Sequence, residues 1–435
     1  MGSNPIGGTL GRLAASLRLN SSAASAVVYG VGKPSRESGV DHSDRRRAVE
    51  PGEAGSPRVE VDGHVWRIRS LGVARQVLRA REGTTQAGFT AEWIPKGYLK
   101  HHPILISDGP RHDEQRRKVA RFFAPAVVAD RYAEAMAASA DALLATAEQQ
   151  GTFRLDDLAL HYTVEVTAQV VGLTESAIPG MAARLVSFFR QPPFDITKPD
   201  LGRSRRQWAQ AAVNGLLPVL RFYAADVRPA IGARRAQPRD DVISHLIAEG
   251  YTNADILVEC ITYGTAGMVT TREFIAMACW HLLRYPSLRE RYVAAGPTER
   301  IAILNEIIRL EPVVGHLYRR VQASLELVEG DATWALAAGD LVDICVRPAN
   351  ADPDAVGERP LDLCPGRSLP AGINPAALSF GDGAHRCPGQ PLAMLEADAL
   401  LTRLLARDPT IVAEPTIEWD DLIAGYALRG LGLRI

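Results

Sequence analysis

In the stretch Phe380 to Pro391, FGDGAHRCPGQP, a single cysteine, Cys387, sits among three glycines and two prolines, just before a run with helical apolar spacing. A thiol used for packing belongs on the apolar face of a helix or strand. One held on a glycine-rich loop is placed for chemistry, and the thiolate is the form that reacts or binds metal. The other four cysteines, Cys260, Cys279, Cys345 and Cys364, read as structural thiols. Five is an odd number, and none has C-x-x-C spacing, which argues against a disulfide framework or a zinc site and points to a reducing, cytoplasmic setting.

A second candidate lies in the longest helical signal, Asn253 to Tyr285, NADILVECITYGTAGMVTTREFIAMACWHLLRY. Thr252 with Asp255 resembles a capping box, and Pro286 marks the stop. At about 1.5 Å per residue such a helix is about 50 Å long, enough to cross a whole domain. Its middle is apolar nearly all round, so it is expected to be buried. There lie Ala266, Gly267, Thr270 and Thr271. Glycine costs a helix interior about 1 kcal/mol relative to alanine. Such a weak, hydroxyl-bearing centre suits close packing at Gly267, with Thr270 bonded to the carbonyl four residues back, or else a functional site.

The elements that must position these residues follow from the rest of the chain. Its 435 residues are 46% hydrophobic, and 49 basic residues nearly cancel 50 acidic ones, so no nucleic-acid or polyanion partner is indicated. No run of roughly 18 or more apolar residues predicts a membrane span. Residues 5 to 28 carry arginines inside their apolar part and read as neither signal nor anchor. Residues 1 to 57 are therefore expected to be an extension, flexible or loosely packed, and 58 to 435 one large domain. Ordered structure is expected from Arg58, where RVEVDGHVWRIRS predicts a β-hairpin around Asp62-Gly63. Helical patterns then cover Leu71–Arg79, Ala126–Gln150, Leu155–Val171, Arg206–Ala233, Asp240–Glu249 and Pro391–Ala406. With no internal repeat, the fold class is mainly α with small β-sheets.

Four stretches together resemble the cytochrome P450 family of haem-thiolate enzymes. The cysteine loop reads Phe380-x-x-Gly383-x-His385-x-Cys387-x-Gly389, like the family's haem-binding signature. Glu306 and Arg309 in NEIIR resemble its E-x-x-R helix pair, DGPRHDEQRRK its haem-facing helix, and Ala266 to Thr271 its oxygen-binding helix centre. The resemblance runs in order from about Arg58 to the C-terminus. It implies a single haem-binding domain with haem b (iron protoporphyrin IX) on the Cys387 thiolate. A helix beginning just after that sulfur would favour its anionic form.

His112, Arg116 and His385 would then face the haem propionates, joined by Arg320 in YRRVQ or by its neighbour Arg319. Phe380 and Gly389 would complete the haem loop. Glu306, Arg309 and Arg359 resemble the family's structural ion-pair triad. Thr270 matches the threonine that hydrogen-bonds dioxygen, with Ala266, Gly267 and Thr271 beside it. The residue before that threonine is commonly acidic in the family, and here it is Val269, which cannot relay a proton. The implied function is a monooxygenase that inserts one atom of O2 into a hydrophobic small molecule with electrons from a ferredoxin and its reductase. A peroxide-using, coupling or rearranging enzyme is one alternative, and a non-enzymatic haem sensor another. Phe89, Trp93, Ile94, Tyr263, Val314 and Ala427 are the expected substrate contacts, and Arg117, Lys118, Arg121 and Arg386 a basic patch for the ferredoxin.

Overall fold

Strands β1 (Val59–Asp62) and β2 (Val65–Ile68) form the expected antiparallel hairpin, turning at Gly63 with φ +59°. Positive φ is cheap only without a Cβ, which is why the turn falls at that glycine. A computed structural model of the chain describes residues 46–48, 56–88, 99–421 and 423–435. The chain divides into residues 1–40, which lie outside the described residues, and 41–435.

The hairpin is the edge of a five-stranded sheet completed by β3 (Thr84–Ala87), β4 (His316–Val321) and β5 (Leu341–Cys345), in the order β1-β2-β5-β4-β3. Strand β5 runs parallel to β2 and antiparallel to β4. Alternation along β4 sends Arg319 and Val321 to a buried face and leaves Arg320 on the other.

Most of the remaining residues are helical, as their spacing predicts. Helices α1 (Leu71–Arg79) and α3 (Leu155–Val171) keep their expected bounds, with α2 (Gly109–Phe123) between them. Ser70 caps α1 by accepting from the Val73 N–H. The signal over Ala126–Gln150 is met by Pro125–Val127, a π-helical turn Val128–Tyr132 and a helix Ala133–Gln150. A second π-turn, Tyr223–Val227, divides Arg205–Phe222 from Arg228–Ala236. The helix expected over Asp240–Glu249 spans Val242–Ala248.

The long helix consists of α4 (Asn253–Tyr263), a π-helical segment Gly264–Val269 and α5 (Thr270–Arg284). Both halves of the Thr252/Asp255 capping box form. Every residue from Thr271 to Leu282 is buried, so α5 runs through the core. Around it pack α3, α6 (Pro297–Leu310) and α7 (Gln390–Leu405). Among the described residues no helix is long and apolar enough to cross a membrane.

Residues 46–48, within the expected extension, reach the end of α6 and α5. Arg46 Nε donates to Leu310 O at 2.8 Å, and the Arg47 guanidinium lies over the rings of Trp280 and Tyr285 at 4.6 and 4.5 Å. Ala48 N–H donates to the buried carboxylate of Glu311. Of the five cysteines, Cys260, Cys279 and Cys345 are buried and Cys364 is exposed, and all five are unpaired thiols.

Candidate active site

Helix α7 begins at its N-cap Gly389, with Pro391 in its first turn. The Cys387 sulfur therefore sits at a helix N-terminus, where the N–H groups of Gly389 and Gln390 donate to it. Burial pushes the thiol up from its ordinary range; those two N–H groups and the charges of Arg116 and Arg386 pull it down. The loop is closed by Cys387 N–H donating to Phe380 O at 2.7 Å. It is tied to α1 by Asp382, which holds Arg75 at 2.8 Å and Arg79 at 3.0 Å. Gly383 is required here: its φ is +67°, and a Cβ would lie 2.1 Å from Leu78 O. A Cβ on Gly389 would meet the sulfur at 3.7 Å, an ordinary contact, so the loop's own packing does not demand that glycine.

A cluster of bases stands beside the loop. His112 and Arg116 are one turn apart on α2, and the His112 ring stacks on His385 with centroids 4.2 Å apart. His385 Nε2 is 3.0 Å from Asp108 Oδ1. Burial, then the neighbouring His385, pulls His112 down to about 4, and its buried Nε2 has no hydrogen-bond partner among the described residues. Arg116 donates to Arg386 O, linking α2 to the cysteine loop.

The arginine in this pocket is Arg319, not Arg320. It is 4% exposed and lines one cavity with Asp108, His112 and His385. The alternation of β4 puts Arg320 on the opposite face, where it donates to Gly339 O at 3.2 Å. Burial lowers Arg319 to about 10, partly offset by Asp108. Arg319, His385 and the unpartnered Nε2 of His112 converge on this cavity, a donor set that suits carboxylates such as those on a porphyrin. Arg319→Leu is expected to cut haem retention by ten-fold or more in a gel-filtered holoprotein, while Arg320→Leu leaves it within two-fold; equal losses would contradict this placement.

The centre of the long helix is loosened by the π-segment, a form frequent at functional sites. Close packing is needed at Gly264, where a Cβ would meet Leu185 at 2.7 Å; at Gly267 it would meet Thr167 only at 3.6 Å. Thr270 donates to Ala266 O at 2.5 Å, the back-bond its position predicts, and Thr163 donates to Met268 O at 2.8 Å. Ala266 is exposed and Gly267 and Thr270 partly so, whereas Val269 and Thr271 are buried. Thr271 thus belongs to the core and does not stand beside Thr270 at the accessible surface.

One titratable residue of this helix went unremarked in the sequence, although an acid in the apolar run ILVECITY is the signal for it. Glu259, one turn before Tyr263, accepts from Ile104 N–H at 3.0 Å through one oxygen. Its other oxygen and the Tyr263 hydroxyl are buried with no partner among the described residues. Burial pushes the Glu259 carboxyl up to about 8. Between about 4.5 and that value the unfolded chain loses this proton and the folded chain keeps it, so Glu259 lowers stability as pH rises. Glu259→Gln is expected to stabilise the fold at pH 8 by a few kcal/mol, at about 1.4 kcal/mol per tenfold in proton affinity, and so raise the melting temperature there, while leaving it unchanged at pH 4. A variant less stable at pH 8 than the parent would contradict this.

Glu306 and Arg309 form a buried two-point ion pair at 2.7 and 2.8 Å, and Arg309 also donates to the carbonyls of Asn350 and Pro360. The third member is Arg367, whose Nε reaches Glu306 at 3.0 Å, and not Arg359. Arg359 has an 80% exposed side chain and pairs only locally with Asp362. Of the expected substrate contacts, Val314 is half-buried just before β4, and Ala427 is buried on the strand Gly425–Arg429. Phe89, Trp93 and Ile94 lie outside the described residues.

The family profile described as Cytochrome P450 matches residues 301–407, which hold the E-x-x-R pair, Arg319 and the Cys387 loop. Cytochrome P450 monooxygenase PikC of Streptomyces venezuelae is 27% identical over 374 residues, covering 83% of this chain and 82% of that protein. Profile, relatives and motifs together support a bacterial-type cytochrome P450. Cytochrome P450 130 of Mycobacterium tuberculosis is 28% identical over 354 residues, covering 76% of this chain and 77% of the relative. The crystal structure of the hydroxylase HmtN superposes with a TM-score of 0.70 at 24% identity, over 87% of this chain and 94% of that one, and shows the same fold. These relatives are named cytochrome P450s, the first of them a monooxygenase, and the cytochrome P450 family binds haem through a cysteine thiolate, which supports an oxidoreductase of that kind.

Proposed function

We propose that Cys387 is the thiolate ligand of haem b, and that the enzyme inserts an oxygen atom from O2 into a hydrophobic small molecule with electrons from a ferredoxin. The observation that carries this reading is the Cys387 sulfur, half-buried at the N-terminus of α7 with two N–H donors aimed at it. Once the thiol proton is displaced, those donors and Arg116 hold a negative sulfur in place. His112, His385 and Arg319 hold the propionates, while Glu306, Arg309 and Arg367 brace the loop's surroundings. Haem-thiolate supplies the activation of dioxygen when bound.

Ala266 and Gly267 leave accessible space in the π-segment, and the partly exposed Thr270 hydroxyl beside them could hold a proton there. Val269 cannot supply that proton. Glu259, still protonated at neutral pH, is a buried acid of the same helix, about three turns before Thr270. A hydrophobic substrate is supported by the apolar character of Val314 and Ala427. A cytoplasmic setting is supported by five unpaired thiols.

The ferredoxin surface is thinner than the sequence implies. Lys118 is held between Glu114 and Glu249, and Arg121 lies over Phe122. Arg117 and Arg386 remain exposed near the cysteine loop and support docking of an acidic partner.

Val269 favours a second reading, in which peroxide replaces O2 and brings its own protons. Turnover of a ligand found by a haem spectral screen, driven either by NAD(P)H through a ferredoxin and its reductase or by peroxide, separates the two. Product from the ferredoxin system, with reduction slowing steeply at high salt, is the expected result. Product from peroxide alone would replace the first reading by the second.

A further inference from the structure

We propose that His316, Asp343 and Cys345 form a binding site for a divalent cation of the zinc class. The lack of C-x-x-C spacing in the sequence argues against zinc, but pairing of β4 with β5 assembles a donor set that spacing along the chain does not reveal. His316 lies directly opposite Cys345 in the antiparallel register, and Asp343, two residues before Cys345, shares its face of β5. One donor atom from each of the three lies within 4.8 Å of the other two. His316 Nδ1 is 2.6 Å from Asp343 Oδ1, and Cys345 hydrogen-bonds to His316.

Tetrahedral zinc at about 2.0–2.3 Å from N, O and S ligands sets them roughly 3.3–3.6 Å apart, a small adjustment from this arrangement. Asp343 and Cys345 are buried, while the His316 side chain is 19% exposed and provides the way in. The Tyr318 ring stacks on His316 at 6.0 Å, fixing one wall.

The charges balance. A neutral imidazole, a carboxylate and a thiolate offer two negative charges to a dication, and the thiol proton leaves to solvent as the sulfur bonds the metal. Arg69, the cation that Cys345 feels, is already paired with Glu60 at 2.8 Å. Three protein ligands leave a fourth position for water, the arrangement of an open zinc site. The cluster is also separate in the fold from the Cys387 loop, since its donors come from the sheet and not from a helix N-terminus.

The test is titration of the haem-loaded protein with zinc chloride by calorimetry, followed by zinc-edge X-ray absorption. One equivalent bound at micromolar zinc, with one sulfur at about 2.3 Å and the remaining ligands N or O near 2.0–2.2 Å, is expected. Cys345→Ser and His316→Gln should each weaken binding at least ten-fold, while Cys364→Ser does not. No binding at micromolar zinc, no sulfur in the zinc shell, or binding that Cys345→Ser leaves unchanged would overturn the proposal. Should a variant fail to fold, the sulfur shell of the unsubstituted protein decides alone.

Discussion

Cys387→Ser is expected to abolish the red-shifted band that thiolate ligation gives the reduced, carbon-monoxide-bound protein, and to drop turnover to background. Serine fills almost the same volume and keeps the Phe380 carbonyl bonded to the 387 N–H, so the loop itself should survive. What is lost is the anion. An alcohol is not ionised by two N–H donors and a nearby Arg116, whereas a thiol with an ordinary pKa near 8.5 is within their reach once iron displaces its proton. Cys345→Ser and Cys364→Ser serve as controls and should keep the band. A Cys387→Ser protein with the band intact would show that another sulfur holds the iron.

The second large effect concerns the ion-pair network under the haem loop. Arg367→Ala removes a side chain only 11% exposed from Glu306, which is itself buried and shared with Arg309. Deleting one partner of a buried ion pair costs about 3–5 kcal/mol when the other charge is left unpaired, and somewhat less here because Arg309 still holds Glu306. A domain is stable by about 5–15 kcal/mol, so this one change should lower the melting temperature by several degrees or more and promote haem loss. Arg359→Ala, by contrast, removes an exposed arginine and should leave both nearly unchanged. Equal effects in denaturation of the two variants would reverse the assignment.

Both of these corrections, Arg367 for Arg359 and Arg319 for Arg320, have the same physical origin. Helices, hairpin and cysteine loop were legible because their signals are local: capping boxes, a 3.6-residue period, and glycines forced by positive φ or close approach, as at Gly383. The arginines were not, because each is chosen by a contact distant in sequence. Glu306 meets Arg367 across 61 intervening steps of chain, and which of two adjacent arginines faces His112 depends on the register of β4. The π-segment likewise gives no pattern of its own; close packing at Gly267 was one of two readings the sequence left open, and the fold places that packing at Gly264 against Leu185. Glu259 was passed over because a single acid in an apolar run carries no periodic signal, and its burial against Ile104 is a tertiary fact.

The ligation itself can be read directly by iron-edge X-ray absorption on the purified ferric holoprotein, compared with Cys387→Ser and with Cys345→Ser. One sulfur neighbour of the iron, present in the parent and in Cys345→Ser but missing from Cys387→Ser, is the expected result. An iron surrounded only by nitrogen and oxygen, or a sulfur that persists when position 387 is serine, would contradict it.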